Sequence, residues 1–114
     1  MTTKQPDRAK HVLVVDDDAV ITRLVSRLLG RNGYSVDSVE TGADAIAHVR
    51  QGYFGVVVLD VRLPDIDGVS VFRNIREAAP DLPIIYLTSY GSTDLAVETI
   101  RDGAFEFIEK TLIF

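Results

Sequence analysis

Reactive polar side chains stand at the ends of four of the five apolar runs in this sequence. Asp16 and Asp17 follow the first run, and Asp60 closes the third. Thr88 follows the fourth run, and Lys110 follows the fifth. Parallel strands end at the same edge of a sheet, and ligands bind at that edge in open α/β folds. The sequence therefore predicts that three carboxylates, a hydroxyl and an amine converge there.

The chemistry of these groups points to phosphoryl transfer. Two carboxylates ~4 Å apart repel by ~4 kcal/mol at an effective dielectric constant of ~20. A hard cation offsets that repulsion, and Mg²⁺ binds carboxylate oxygens together with waters and a phosphate. A carboxylate can act as a nucleophile that forms an aspartyl-phosphate, and a nearby lysine supplies the positive charge that phosphoryl transfer requires.

The segments that must position these side chains alternate between two hydrophobic patterns. Continuous apolar runs predict strands that are buried on both faces, and one alternating run predicts an edge strand with one wet face. Amphipathic segments with helical spacing separate the runs, so the sequence predicts an α/β fold. The predicted strands cover residues 11–15, 34–39 (the edge strand), 55–60, 84–87 and 105–108.

Capping residues mark where the predicted helices begin and end. Asp18, Thr41 and Asp67 are expected N-caps of the first three helices, and Gly30 or Gly33 is expected to end the first. Asp65 is interpreted as a loop residue, and a fourth helix is expected between the last two strands. The first helix is expected to have one apolar face, formed by Val20, Ile21, Leu24, Val25, Leu28 and Leu29.

Size and composition limit the classes of protein. The 114 residues suit one domain, with residues 1–9 expected to be disordered. The net charge of −5 argues against a direct nucleic-acid contact by this segment. The chain contains no cysteine and no apolar stretch long enough for a membrane span. No secretory signal is evident at its start, so a cytoplasmic protein is expected.

Four motifs in this order resemble the receiver domain of bacterial two-component response regulators. They are residues 14–18, 59–64, 87–89 and 105–110, so the resemblance covers nearly the whole chain. It implies one receiver domain over residues 1–114, with a flavodoxin-like, doubly wound, five-stranded parallel sheet of order 2-1-3-4-5. It also implies a phosphoacceptor that assists its own phosphorylation and dephosphorylation and is not an enzyme in the usual sense.

The resemblance assigns a role to each acid of the predicted site. Asp60 would accept a phosphoryl group from a sensor histidine kinase. Mg²⁺ would be bound directly by Asp17, Asp60 and the backbone carbonyl of Arg62. Asp16 would act on the ion through a water molecule.

The resemblance also implies a switch. Thr88 and Lys110 would contact the phosphoryl oxygens, and Phe107 would change rotamer as Thr88 moves. The surface around the fourth helix and fifth strand would then change and be read by a partner. Segments 93–98 and 103–105 are similar to receivers that are attached to DNA-binding regulators, so control of transcription is the expected output.

The end of the sequence departs from the family pattern. Thr111 follows Lys110 where the family usually has proline, and we expect a trans peptide bond there. The family's fifth helix is absent, so the chain is interpreted as truncated after Lys110. That helix would cover apolar residues on one face of the sheet. We therefore expect an exposed patch and consider a homodimer through that face or through the terminal strand.

Two other functions remain open at this point. One is a receiver-like interaction or dimerisation module that is never phosphorylated. The other is a phosphatase of the haloacid-dehalogenase type, which also uses an aspartate at a strand end. That class requires a second aspartate two residues later, and this chain has Arg62 there. A nucleotide-binding domain is disfavoured because no glycine-rich loop follows the first strand.

Overall fold

A computed structural model describes residues 10–60, 63–88 and 106–109 of the chain. Strands and helices alternate within these residues, which confirms the predicted α/β class. The expected disordered start, the fourth helix and the tail at 111–114 lie outside them. The elements are β1 (His11–Val15), α1 (Ala19–Arg31), β2 (Ser35–Val39), α2 (Gly42–Val49), β3 (Val56–Asp60), α3 (Gly68–Ala78), β4 (Ile84–Thr88) and β5 (Glu106–Glu109).

The five strands form one parallel sheet of order β2-β1-β3-β4-β5, as predicted. In its register Val15 lies beside Leu59, and Asp60 lies beside Leu87. The carboxyl ends of β1, β3 and β4 therefore reach nearly the same level of the sheet. Residues that follow these strands must emerge close together.

The face covered by α2 and α3 carries the larger hydrophobic core. Side chains alternate between the two faces of a strand, and Val57 and Leu59 of β3 lie on this face with no exposed surface. Phe72 and Ile75 of α3 pack against them. The fully or nearly fully buried members of this core are Leu13, Val15, Val39, Ala45, Val49, Phe54, Val57, Leu59, Val71, Phe72, Ile75, Ile84 and Tyr86.

The face covered by α1 is less completely buried. Val12 and Val14 of β1 pack there against Val25, but Val56 and Val58 of β3 are only partly buried. The apolar character of β3 on both faces is thus confirmed, although the two faces are buried to different degrees. The expectations about the end of the chain concern residues 110–114, which lie outside the described residues.

Helix α1 has a narrower buried face than its sequence indicates. Ile21, Val25 and Leu29 pack on the sheet, but the adjacent row of the expected apolar face points away from it. The predicted apolar face is thus present, but only one of its two rows, at i, i+4 and i+8 spacing, is buried against the sheet. The outward row consists of Val20, Leu24 and Leu28, which are 63, 36 and 47% exposed.

The predicted N-caps are confirmed, and of the two glycines expected to end α1, Gly33 does so. Asp18 accepts a hydrogen bond from the Val20 amide at 2.9 Å. Thr41 and Asp67 accept equivalent bonds at the starts of α2 and α3. Helix α1 continues through Gly30 to Arg31. Gly33 follows with φ of 88°, a conformation that glycine adopts readily.

We predict opposite effects of alanine at two glycines. A Cβ atom on Gly42 would lie 2.5 Å from Cγ2 of Val71, where α2 approaches α3. Gly42→Ala should therefore lower the free energy of unfolding by about 1–3 kcal/mol. Gly30 has no neighbour within 4 Å of the same position. Gly30→Ala should raise the free energy by up to about 1 kcal/mol.

Urea denaturation of the two variants and the wild type measures both effects. A Gly42→Ala protein as stable as the wild type would show that the two helices are not closely packed at this point.

Candidate metal and phosphoryl-transfer site

The sheet positions the acidic residues through its backbone hydrogen bonds. Asp16 follows β1 directly, and its amide donates to the carbonyl of Val39 at 3.1 Å. This bond continues the pairing of β1 with β2 for one residue beyond the strand. Asp60 is the last residue of β3 and pairs with Leu87 of β4. Both carboxylates are thus fixed to the same edge by ordered backbone on either side.

Three carboxylates converge at this edge, as the sequence predicts. One oxygen from each of Asp16, Asp17 and Asp60 lies within 4.8 Å of the other two. Asp16 has no exposed surface and Asp60 is 4% exposed, whereas Asp17 is exposed. The acid cluster, as we call these three residues, is therefore buried on the side of the sheet and open to solvent beside Asp17.

Asp18 belongs to the neighbouring helix and not to the acid cluster. Its carboxylate oxygen Oδ1 accepts from the amides of Val20 and Ile21 at the start of α1. The backbone amide of Asp18 in turn donates to Oδ1 of Asp16 at 2.9 Å. The helix start therefore orients the Asp16 side chain, while the third consecutive aspartate is used as a cap.

The donor set of the acid cluster fits a hard divalent cation. Charges this close repel by several kcal/mol per pair, about 4 kcal/mol at 4 Å and an effective dielectric constant of about 20. The cluster offers only carboxylate oxygens, which Mg²⁺ prefers, and its open side leaves space for the waters that Mg²⁺ retains. Bound there, the ion would neutralise the acids and attract a phosphoryl group.

The remaining predicted site residues are described only in part. Thr88 ends β4 beside Glu109, and Phe107 lies beside Tyr86. The backbone thus places Thr88 at the same edge of the sheet as Asp60. The side chains of Thr88 and Phe107, and all of Arg62 and Lys110, lie outside the described residues. Their roles stay predictions.

The loop between β3 and α3 is attached to a different helix. Both carboxylate oxygens of Asp65 accept hydrogen bonds at the start of α2, from the Gly42 amide at 2.8 Å and the Ala43 amide at 3.1 Å. The Gly42 bond is the largest cause that lowers the pKa of Asp65. The sequence analysis interpreted Asp65 as a loop residue only, because its partner is 23 positions away.

The other end of the same loop is bound to the sheet. The hydroxyl of Tyr86 donates to the carbonyl of Gly68, the first residue of α3, at 2.8 Å. Tyr86 has no exposed surface, so this bond is shielded from water. Sequence reasoning identified Tyr86 only as part of a buried strand, although a buried tyrosine normally requires a hydrogen-bond partner.

Comparison with known proteins identifies the family. Residues 12–113 match the family described as response regulator receiver domain. The chain belongs to this family. A receiver domain is a phosphoacceptor of two-component signalling and not a classical enzyme, and the acid cluster is typical of its Mg²⁺ site. Among the described helices, none is long and apolar enough to cross a membrane.

Relatives of this receiver domain include regulators of transcription. The chain is 36% identical over 102 residues to the C4-dicarboxylate transport transcriptional regulatory protein DctD of Rhizobium meliloti, which covers 90% of the chain and 22% of that protein. The chain thus spans less than a quarter of the length of the curated relatives it matches first.

Solved structures share the fold. A response regulator receiver domain protein from Clostridium thermocellum has a TM-score of 0.83 and 27% identity, covering 88% of this chain and 81% of that one. A response regulator from Burkholderia pseudomallei, solved with a phosphorylated aspartic acid, calcium ion and citrate, has a TM-score of 0.81 and 31% identity. That match covers 89% of this chain and 59% of the other.

We predict that acid destabilises the receiver domain partly through the caps of the β3–α3 loop. The pKa of Asp65 and the pKa of Asp67 are both lowered by amide hydrogen bonds, from Gly42 and Ser70 respectively. A lowered folded-state pKa gives stability that is present above the unfolded pKa of 3.8 and is lost as the pH falls through the folded value. Asp67→Asn should therefore flatten the acid side of the stability profile.

Urea midpoints between pH 2 and pH 6, a range about the unfolded value, measure this slope for the wild type and Asp67→Asn. Asp44→Asn is the matched control, because Asp44 is an exposed acid in the first turn of α2, and Thr41 is the N-cap of that helix. Equal slopes in all three proteins would contradict the prediction.

We also predict that the Asp17 carboxylate lowers the stability of the metal-free protein and contributes to cation binding. Asp17 is the exposed member of three repelling carboxylates, so Asp17→Asn should raise the free energy of unfolding by up to about 1 kcal/mol in metal-free buffer. The same variant should lose most of the stabilisation that Mg²⁺ gives the wild type, which is about 2.7 kcal/mol at a concentration 100 times the dissociation constant. Thermal melts with Mg²⁺ and with EDTA measure both effects, and equal Mg²⁺ responses would exclude Asp17 as a ligand.

Proposed function

We propose that this receiver domain is a phosphorylation-activated signalling switch in which Asp60 accepts the phosphoryl group. The observation that carries the proposal is the acid cluster. Asp60 is the member that ends the central strand β3, and it lies within 4.8 Å of the oxygens of Asp16 and Asp17. This proximity supports a role for Asp60 as the nucleophile beside two acids that would bind a cation.

The donor would be the phosphohistidine of a sensor histidine kinase. A carboxylate oxygen of Asp60 attacks the phosphorus atom, the P–N bond to the imidazole breaks, and the imidazole nitrogen takes up a proton. The product is an acyl phosphate on Asp60. Mg²⁺, which Asp17, Asp60 and the carbonyl of Arg62 would bind directly and Asp16 through a water molecule, would supply charge neutralisation. The phosphorylated aspartic acid named for the Burkholderia pseudomallei relative supports this chemistry.

The signal would pass from Asp60 to strands β4 and β5. Phosphorylation adds about −1.5 to −2 charges and strong acceptor oxygens, which Thr88 and Lys110 would bind. Thr88 lies at the same sheet edge, and its backbone pairs with β5. A movement of Thr88, followed by Phe107, would alter the surface that a partner reads. The name of the DctD relative supports a transcriptional output.

The proposal predicts site-specific, Mg²⁺-dependent labelling by a small phosphodonor. After incubation with acetyl phosphate and Mg²⁺, the intact mass of the wild type should increase by one phosphoryl group. The increase should be absent in Asp60→Asn, because an amide is not a nucleophile for this step, and absent with EDTA.

Asp18→Asn is the matched control, because it removes a negative charge beside the acid cluster but leaves the three acids of the cluster unchanged. Asp18 caps α1, and asparagine is an equally good cap, so this variant should be labelled like the wild type. Labelling of Asp60→Asn would contradict the assignment of the phosphoacceptor. A folded wild type that binds Mg²⁺ but is not labelled would favour an unphosphorylated interaction or dimerisation module.

A further inference from the structure

The backbone that leaves the phosphoacceptor has a second fixed point. Asp60 is buried at the end of β3, and the next described element, α3, starts at Gly68. Between them, Asp65 is bound to the start of α2, an element that precedes β3 in the chain. Five residue steps separate Asp60 from Asp65. The loop into which β3 leads is therefore attached to a second element at Asp65.

The attachment of Asp65 to α2 is bidentate. Its Oδ1 accepts from the Gly42 amide at 2.8 Å, and its Oδ2 accepts from the Ala43 amide at 3.1 Å. These amides are among those that a helix start leaves without partners in its own backbone, and the helix dipole favours a negative charge there. Two bonds from one carboxylate fix both the position and the orientation of the loop.

The surrounding packing allows little adjustment of this attachment. A Cβ atom at Gly42 would lie 2.5 Å from Cγ2 of Val71 and 3.2 Å from Cβ of Ile66. Ile66, next to Asp65, packs against the larger core. The loop, α2 and α3 thus meet at one crowded point, and Asp65 is the charged group that joins them.

We propose that Asp65 is a positioning residue for the metal site. By tying the loop to α2 at residue 65, it limits the movement of the loop relative to the acid cluster, so a cation that binds there has less of the loop to order. This inference rests on the proposed function, because it concerns the cation of the same site. Asp65 does not touch the ion and acts through the loop.

A positioning role differs measurably from a purely structural one. Thr41 also caps α2, through the Asp44 amide at 3.1 Å, but it makes no hydrogen bond to the loop among the described residues. Asp65→Ala and Thr41→Ala therefore both weaken the start of α2, whereas only Asp65→Ala releases the loop. Asp65→Asn retains an oxygen for the Gly42 amide and loses the charge and the second bond.

The experiment measures Mn²⁺ binding to the full chain by electron paramagnetic resonance, which detects the free ion, together with the free energy of unfolding. Removal of groups that orient metal ligands typically weakens metal binding about 10–100-fold. We expect Asp65→Ala to raise the dissociation constant about tenfold, Asp65→Asn to give an intermediate value, and Thr41→Ala to bind like the wild type.

Labelling by acetyl phosphate provides a second readout. Asp65→Ala should require about tenfold more Mg²⁺ for half-maximal labelling, and it should reach the wild-type rate at saturating Mg²⁺. A structural defect would instead lower the rate at every Mg²⁺ concentration.

Each result has one interpretation. If Asp65→Ala binds Mn²⁺ as tightly as Thr41→Ala, or if its labelling rate stays low at saturating Mg²⁺, the positioning role is overturned. If Asp65→Ala does not fold, Asp65→Asn is judged by the same criterion. A wild type that neither binds Mn²⁺ nor is labelled would overturn the proposed function, which is a separate failure.

Discussion

Asp16 and Asp60 lie buried side by side at the carboxyl edge of a parallel sheet, with Asp17 close to both. Buried like charges are costly, and this sheet cannot separate them. β1 and β3 are neighbours in register, both have interiors of valine and leucine, and each strand delivers its acid where that interior ends. The electrostatic repulsion within the acid cluster is therefore a consequence of the fold. The fold thus brings together an acidic triad that is typical of the Mg²⁺ site of receiver domains.

The other aspartates near this edge show how such charges are stabilised without a metal. Asp18, Asp65 and Asp67 each accept backbone amides at a helix start. Those bonds satisfy the unpartnered donors of α1, α2 and α3. The acids at this edge thus form two groups. The first accepts amides at helix starts and consists of Asp18, Asp65 and Asp67. The second is the acid cluster. The first group fixes the helices with respect to the sheet. The acid cluster lies where those helices and strands meet.

Much of this arrangement could be predicted from local sequence. Continuous apolar runs predict the strands, and an acid directly after such a run must emerge at its end, so the positions of Asp16 and Asp60 follow from the pattern. The caps Asp18, Thr41 and Asp67 each act within a few residues of their own position, where sequence rules apply. Asp65 and Tyr86 could not be assigned, because their partners lie 23 and 18 residues away and depend on how α2 and α3 pack. The exposed row of α1 was missed for a related reason, since periodicity shows which residues are apolar but not how wide a surface the sheet offers.

The unequal burial of the two sheet faces determines which parts of the site are held most firmly. On the α2 and α3 face, Val57, Leu59 and Tyr86 have no exposed surface, and Tyr86 and Asp65 attach the β3–α3 loop to that side. On the α1 face, Val56 and Val58 of the same strand are only partly buried. Close-packed interiors resist small displacements. Because the β3–α3 loop is attached to the better-packed face, that face limits the movement of the loop. The proposed phosphorylation of Asp60 would thus act at a sheet edge whose α2 and α3 side is more closely packed than its α1 side.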